Sequence, residues 1–234
     1  MQVNFFKNNK FRQELFDKAL LSYKKENKIS WTRNIVRTNM EVLAIDSQGI
    51  KDIVKAIPKG LEKEFFGNVK FNYYESTIVY GKLLNRLKSY KEIEKHLLPY
   101  ANIIDNWASC DCLSFDLIGE DKNALFDFAA RYTKDKKPFI RRIAFRIMFG
   151  YIEKDYLSKI FDIISSLFAE KEYYVNMIIS WLLCEMFIKY KEETLQYITT
   201  AKLNSFVKNK FVSKCQDSFR VSQDDKRMLK TLKN

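Results

Sequence analysis

Val175, Ile178, Ile179, Leu182, Leu183, Met186 and Phe187 follow one another at intervals of three and one. A helix gathers residues so spaced onto one side, whereas a strand would scatter them over both faces. The spacing predicts an amphipathic helix here. Similar stripes recur in Phe11, Leu15, Phe16, Ala19, Leu20 and Tyr23, in Ile78, Val79, Leu83 and Leu84, and in Ile140, Ile143, Ala144, Ile147, Met148 and Tyr151. Strand-like alternation is absent at any useful length, so the chain is expected to be all-α. Six glycines and three prolines in 234 residues are also too few for turn-rich β sandwiches or glycine-cradled nucleotide folds.

Short breaks separate the stripes at Ser47–Gly49, Pro58–Gly60, Gly67–Asn68, Pro99, Gly119–Asp121, Lys137–Pro138 and Lys154–Asp155. Helices of about 10 to 18 residues joined by turns of a few residues follow, as antiparallel neighbours require. Pro138 fits a first helical turn, where its missing N–H costs nothing. From about Phe71 onward the helices pair off with a period of about 35 residues, which suggests stacked helical hairpins rather than a closed bundle. The chain is read as one repeat domain over 1–234. N-terminal helices occupy 1–70, the best repeats 71–200, and basic helices or a basic tail 201–234.

The formal charge of +12 points first to polyanionic partners. It is concentrated in two blocks. Lys134, Lys136, Lys137, Arg141, Arg142 and Arg146 face only Asp135. Lys202, Lys208, Lys210, Lys214, Arg220, Lys226, Arg227, Lys230 and Lys233 face Asp217, Asp224 and Asp225. Two such blocks suggest a surface that follows a phosphate backbone, although a solvated lysine-rich tail would account for the second. Four cysteines, Cys110, Cys112, Cys184 and Cys215, and a single histidine, His96, give no zinc-ligand spacing, and reduced, mostly buried thiols are expected. One histidine also excludes mechanisms that need two. No apolar run approaches the roughly 20 residues needed to span a bilayer, and Met1–Lys10 lacks the apolar block of a signal peptide. The expectation is a cytosolic protein, in a bacterial cytosol or nucleoid, monomeric, with no metal, cofactor or membrane.

Some residues do not look like core. On a helix opening near Trp107, Cys110, Leu113 and Leu117 point one way, while Trp107, Asp111, Ser114 and Ile118 line another face. A tryptophan one turn from an aspartate is an odd composition for a core stripe, because a carboxylate is not buried cheaply. Arg142 and Arg146 sit opposite the apolar stripe of the next strong helix, flanked by Phe145 and Phe149. A covering layer over the phenylalanines would leave the arginines at an edge, where the guanidinium fork matches phosphate oxygens. Trp181 lies at the edge of the Val175–Phe187 stripe and by itself reads as a core residue.

Ile104–Phe115 (IDNWASCDCLSF), Pro138–Ile152 (PFIRRIAFRIMFGYI) and Glu172–Tyr190 (EYYVNMIISWLLCEMFIKY) together resemble the DNA alkylation repair proteins of the AlkD type. Tyr73–Leu84 (YYESTIVYGKLL) is similar to an upstream helix of that family. The likeness covers roughly Phe71–Tyr190. It implies a HEAT-like helical-repeat solenoid, an α-α superhelix whose concave basic face holds duplex DNA. It also implies a monofunctional glycosylase that removes cationic N3- and N7-alkylated purines. By resemblance the catalytic aspartate falls on Asp111, the cleft tryptophans on Trp107 and Trp181, and the phosphate-contacting arginine on Arg142, with Arg141 and Arg146 beside it. Ala108 stands where the family usually has a second aromatic. The chemistry agrees with this assignment: an alkylated purine is already cationic, so it is a good leaving group that needs little protonation, and a fixed carboxylate can stabilise the oxocarbenium-like sugar and orient water. Two other readings are a non-catalytic protein of the same fold that recognises branched or distorted DNA, and a helical scaffold for proteins.

Overall fold

The apolar stripes fold as helices because each buries one side against its neighbours. A computed structural model describes residues 5–233, and the chain divides between Leu117 and Ile118 into two compact units. The first unit carries α1 (Gln13–Ser22), α2 (Ile29–Val36), α3 (Ser47–Ala56), α4 (Glu62–Asn68), α5 (Tyr74–Leu84), α6 (Tyr90–Ile103) and α7 (Trp107–Asp111). The second carries α8 (Gly119–Tyr132), α9 (Pro138–Met148), α10 (Lys154–Ser165), α11 (Tyr173–Lys189), α12 (Lys191–Thr200), α13 (Ser205–Asp217) and α14 (Gln223–Lys230). Every second helix from α5 onward begins 31 to 35 residues after the last, at Tyr74, Trp107, Pro138, Tyr173 and Ser205. Within the units α5 packs on α6 and α7, α9 on α8 and α11, and α11 on α12 and α13. This is the all-α, HEAT-like organisation that the periodicity predicts.

One departure opens the first unit. β1 (Phe6–Lys7) and β2 (Lys10–Phe11) form an antiparallel hairpin with Phe6 opposite Phe11. Its turn residues Asn8 and Asn9 have φ of 51° and 57°, as a two-residue type I′ turn requires. Strands of two residues are too short to show alternation, and the Asn-Asn pair is the one sequence signal for them. The hairpin sets Phe11 5.1 Å from Phe65 and brings Phe5 within 5.4 Å of Phe16. Phe5, Phe16 and Phe65 are all fully buried.

A second departure is Pro99, which does not break its helix. It lies inside α6, on the exposed face, where water can donate to the carbonyl one turn earlier that its missing N–H leaves unbonded. Ile93, Leu97 and Tyr100 continue the buried face on both sides of it.

The loop between α2 and α3 is held by a carboxylate. Glu75, on the first turn of α5 and 1% exposed, accepts the N–H groups of Leu43 (3.1 Å) and Ile45 (3.3 Å). Between them Ala44 adopts φ 59°, which turns both amides toward one acceptor. Burial raises the Glu75 carboxyl above its ordinary range, an effect that these amides offset only in part.

In the second unit α11 is covered more completely than its stripe suggests. Asn176 and Ser180, off the stripe, are buried too. Asn176 Nδ2 donates to the Glu170 carbonyl, and Ser180 Oγ to those of Asn176 and Val207. The helix is packed between α9 and α13 rather than half in solvent, as a helix apolar on most sides must be. The C-terminal block is not a solvated tail: α13 buries Val207, Phe211, Val212 and Cys215. Among the described residues no helix is long and apolar enough to cross a membrane.

Two stability predictions follow. Glu75→Ala strands the buried Leu43 donor and the half-buried Ile45 donor, so unfolding in urea should show a loss of about 2–4 kcal/mol with an unchanged slope. A Cβ at Gly81, mid-α5, would meet Cys112 Sγ at 2.5 Å and the Tyr100 hydroxyl at 2.9 Å. Gly81→Ala should therefore destabilise by about 1–3 kcal/mol despite alanine's better helix propensity. Adding Cys112→Ala should recover part of that loss in a double-mutant cycle.

Candidate nucleic-acid interface

The carboxylate expected to act, Asp111, is the last residue of α7, and Trp107 is the first. The i, i+4 spacing sets them one above the other on one side of the helix. Both are half-buried. The helix is shorter than its sequence suggests and ends at Asp111, so Ser114 and Ile118 do not extend the Trp107–Asp111 face. Instead the Ser114 N–H is taken by Asn85 Oδ1 (2.8 Å), and Ile118 is the N-cap of α8.

Other helices hold these five residues in place. The buried Asn106 caps the helix by accepting the Ser109 N–H at 2.9 Å. Ser109 Oγ shares a 2.7 Å hydrogen bond with Thr77 Oγ1 of α5, and its carbonyl accepts the Tyr100 hydroxyl of α6 at 2.8 Å. Asn85 Nδ2 donates to the Cys112 carbonyl at 2.9 Å. Ala108 packs against the cluster of Val36, Val42, Ala44 and Tyr74, so the small residue that follows Trp107 is inside contact with the body of the unit. The Trp107 indole N–H donates to the Ile35 carbonyl in α2 at 3.1 Å. Asp105 accepts the Thr38 hydroxyl (2.6 Å) and the Asn39 N–H (2.7 Å) just beyond α2. An acid at a helix C-terminus is opposed by the partial negative charge of the free carbonyls, so helix stability gives no reason for Asp111 to be acidic.

In the second unit the expected arginines part company. Arg141 is 8% exposed. Its guanidinium pairs with Glu170 (2.8 Å) and donates to the carbonyls of Asp135 (2.6 Å) and Lys136 (3.2 Å). Arg142, 5% exposed, donates to the Tyr174 carbonyl at 2.5 Å and so ties α9 to the first turn of α11. Arg142 does not stand at the edge that the sequence reading gives it, and Arg141 beside it is buried too. The Glu170 carboxylate and the Tyr174 carbonyl draw them in from about 30 residues away, which the sequence does not reveal. Arg146 is half-exposed, with its guanidinium 5.1 Å from the Phe149 ring centroid and 6.0 Å from that of Trp181. Phe149, expected under a covering layer, meets Trp181 edge-on at 4.7 Å, whereas Phe145 is fully buried.

Trp181 is half-buried and held by its edge. Its N–H donates to Glu185 Oε1 at 3.1 Å, and the same oxygen accepts Arg220 Nη2 at 2.5 Å. Sequence reasoning missed both partners. Glu185 lies one turn beyond Trp181 on α11 and was within reach of helical geometry; Arg220, 35 residues away, was not. Lys134, Lys136 and Lys137 are exposed on the connection between α8 and α9.

Other chemistry is scarce. The four cysteines are free thiols, three of them buried. His96 packs at a tilt on Phe66, ring centroids 4.6 Å apart, and burial lowers its basicity. Among the described residues no group of three or more His, Cys, Asp or Glu side chains is placed to hold a metal.

No curated protein matches the chain. A family model described as DNA alkylation repair enzyme matches residues 16–211, from α1 into α13, and so spans α7, α9 and α11 with Trp107, Asp111, Arg146 and Trp181. On that match the chain belongs to the DNA alkylation repair enzyme family.

Proposed function

We propose that this protein binds duplex DNA and hydrolyses the N-glycosidic bond of cationic N3- or N7-alkylated purines. The observation that carries the reading is the pairing of Trp107 with Asp111 one turn apart and half-exposed, on a helix clamped by hydrogen bonds at both ends. A group that must meet a developing charge gains from being fixed beforehand, because no reorganisation is then required during the reaction.

The C1′–N bond breaks with its electron pair going to the alkylated base, which leaves neutral, and the positive charge passes to the sugar as an oxocarbenium ion. The Asp111 carboxylate stabilises that charge and accepts a hydrogen bond from the attacking water. The water oxygen bonds C1′ and passes one proton to the Asp111 carboxylate, which returns it to solvent, leaving an abasic site with a 1′-hydroxyl. The leaving group needs no general acid, in keeping with a chain whose single histidine packs on Phe66. Trp107 and Trp181 offer aromatic faces to the nucleic acid, each worth ~0.5–2 kcal/mol toward a cation. Arg146 is the phosphate-binding arginine of α9, while Arg141 and Arg142 fix the helix that carries it.

Two measurements test this. On methylated duplex DNA, Asp111→Asn should lower release of 7-methylguanine or 3-methyladenine by about 100-fold or more with DNA affinity kept. Wild-type protein that binds DNA and releases no modified base would leave only the binding half of the reading. Arg146→Ala should weaken DNA binding and reduce the slope of log K against log salt by about 0.9, the loss of one phosphate contact. Arg142→Ala should lower thermal stability first, because it removes the tie between α9 and α11.

A further inference from the structure

The connection between α13 and α14 displays an aromatic ring to solvent. Phe219 is 94% exposed, yet the residues around it are fixed. The Ser218 N–H donates to the Lys214 carbonyl at 3.1 Å and closes α13. The Arg220 N–H donates to Ser218 Oγ at 3.2 Å, and the Arg220 guanidinium is held by Glu185. Val221 is buried, and Ser222 caps α14 by accepting the Asp225 N–H at 3.1 Å. A single apolar side chain in water is ordinary on a protein surface; this ring differs in being held out by a turn whose neighbours are all anchored.

The surroundings say which partner. Lys214, Lys226, Arg227 and Lys230 flank the turn on its two helices. Of the nearby acids, Asp224 is paired with Arg227 and Asp225 with Lys191, while Asp217 closes α13 before the turn, so Lys214, Lys226 and Lys230 outnumber the acid that remains. The turn also borders the aromatic cluster of this unit, since one oxygen of Glu185 bridges Arg220 and the Trp181 indole. The family match ends at Phe211, so the turn lies outside the residues that the family model describes.

We propose that the Ser218–Ser222 turn is an additional DNA contact, in which Phe219 stacks on an exposed base or wedges into a base step of the strand that runs past Trp181. The inference rests on the DNA-binding reading above. An aromatic ring among lysines and arginines is the pairing that nucleic acids favour, with the cations tracking phosphates while the ring meets the π face of a base.

The full-length protein should be titrated into a fluorescently labelled 20-base-pair duplex at several salt concentrations. Phe219→Ala should weaken binding by roughly 5- to 100-fold, the effect of losing one base–aromatic stack, with the salt slope and melting temperature unchanged. Phe219→Tyr should keep the affinity within about twofold, since it keeps the ring. A duplex carrying 2-aminopurine should change in fluorescence with wild type and not with Phe219→Ala. The proposal is overturned if Phe219→Ala binds like wild type while Arg146→Ala is weakened, which leaves the DNA-binding reading standing. It is overturned together with that reading if wild type itself does not bind DNA. Loss of self-association by Phe219→Ala in sedimentation, with DNA affinity unchanged, would assign the ring to a second copy of the chain and equally overturn it.

Discussion

A helix of five residues has no stability of its own, because nucleating one turn costs more than its few hydrogen bonds return. The helix α7 exists because the rest of the first unit imposes it. Asn106 supplies its cap, Thr77 and Tyr100 bind Ser109 from two different helices, and Asn85 catches the chain as it leaves. Thr77, Asn106 and Ser109 are buried, so each hydrogen bond replaces one that water can no longer provide. The positions of Trp107 and Asp111 are therefore set by α2, α5 and α6 together with the Asn106 cap, rather than by helix propensity. The close approach of α5 at Gly81 is part of the same arrangement.

That dependence explains what could be read from the sequence and what could not. α9 and α11 were legible because their apolar intervals match the helical period over several turns, and Pro138 marked the start of α9. α7 was legible as a helix but not in its length, since the apolar residues Leu113 and Leu117 continue the period after the backbone has left it. Arg141 and Arg142 looked like surface residues because arginine usually is one. Their burial depends on acceptors at Glu170 and Tyr174, about 30 residues away, which no local pattern reveals. Pro99 was misleading for the opposite reason: a proline penalises a helix interior, but on an exposed face flanked by well-packed turns the penalty is outweighed.

Charge in this chain divides in the same way. The basic block around α9 contains structural and surface cations within a few residues of one another. Arg141 and Arg142 hold connections inside the second unit, while Lys134, Lys136 and Lys137 remain at the surface with Arg146 half-exposed. A formal charge of +12 thus overstates what a phosphate backbone can meet. It also explains why a count of basic residues identifies a partner class before it identifies any contact.

The two tryptophans obey one rule in separate settings. Trp107 gives its indole N–H to a backbone carbonyl, and Trp181 gives its own to a carboxylate. A buried or half-buried indole needs such a partner for its polar edge, and once the edge is fixed the ring can turn only with the element that holds it. What remains for recognition is the π face, which attracts cations and stacks on planar groups. In the second unit the Arg146 guanidinium lies over both Phe149 and Trp181, so the chain itself demonstrates the kind of charge these rings accept. A purine made cationic by alkylation combines that charge with a flat surface. Rings held by their edges keep the π face in a fixed orientation, each within its own unit.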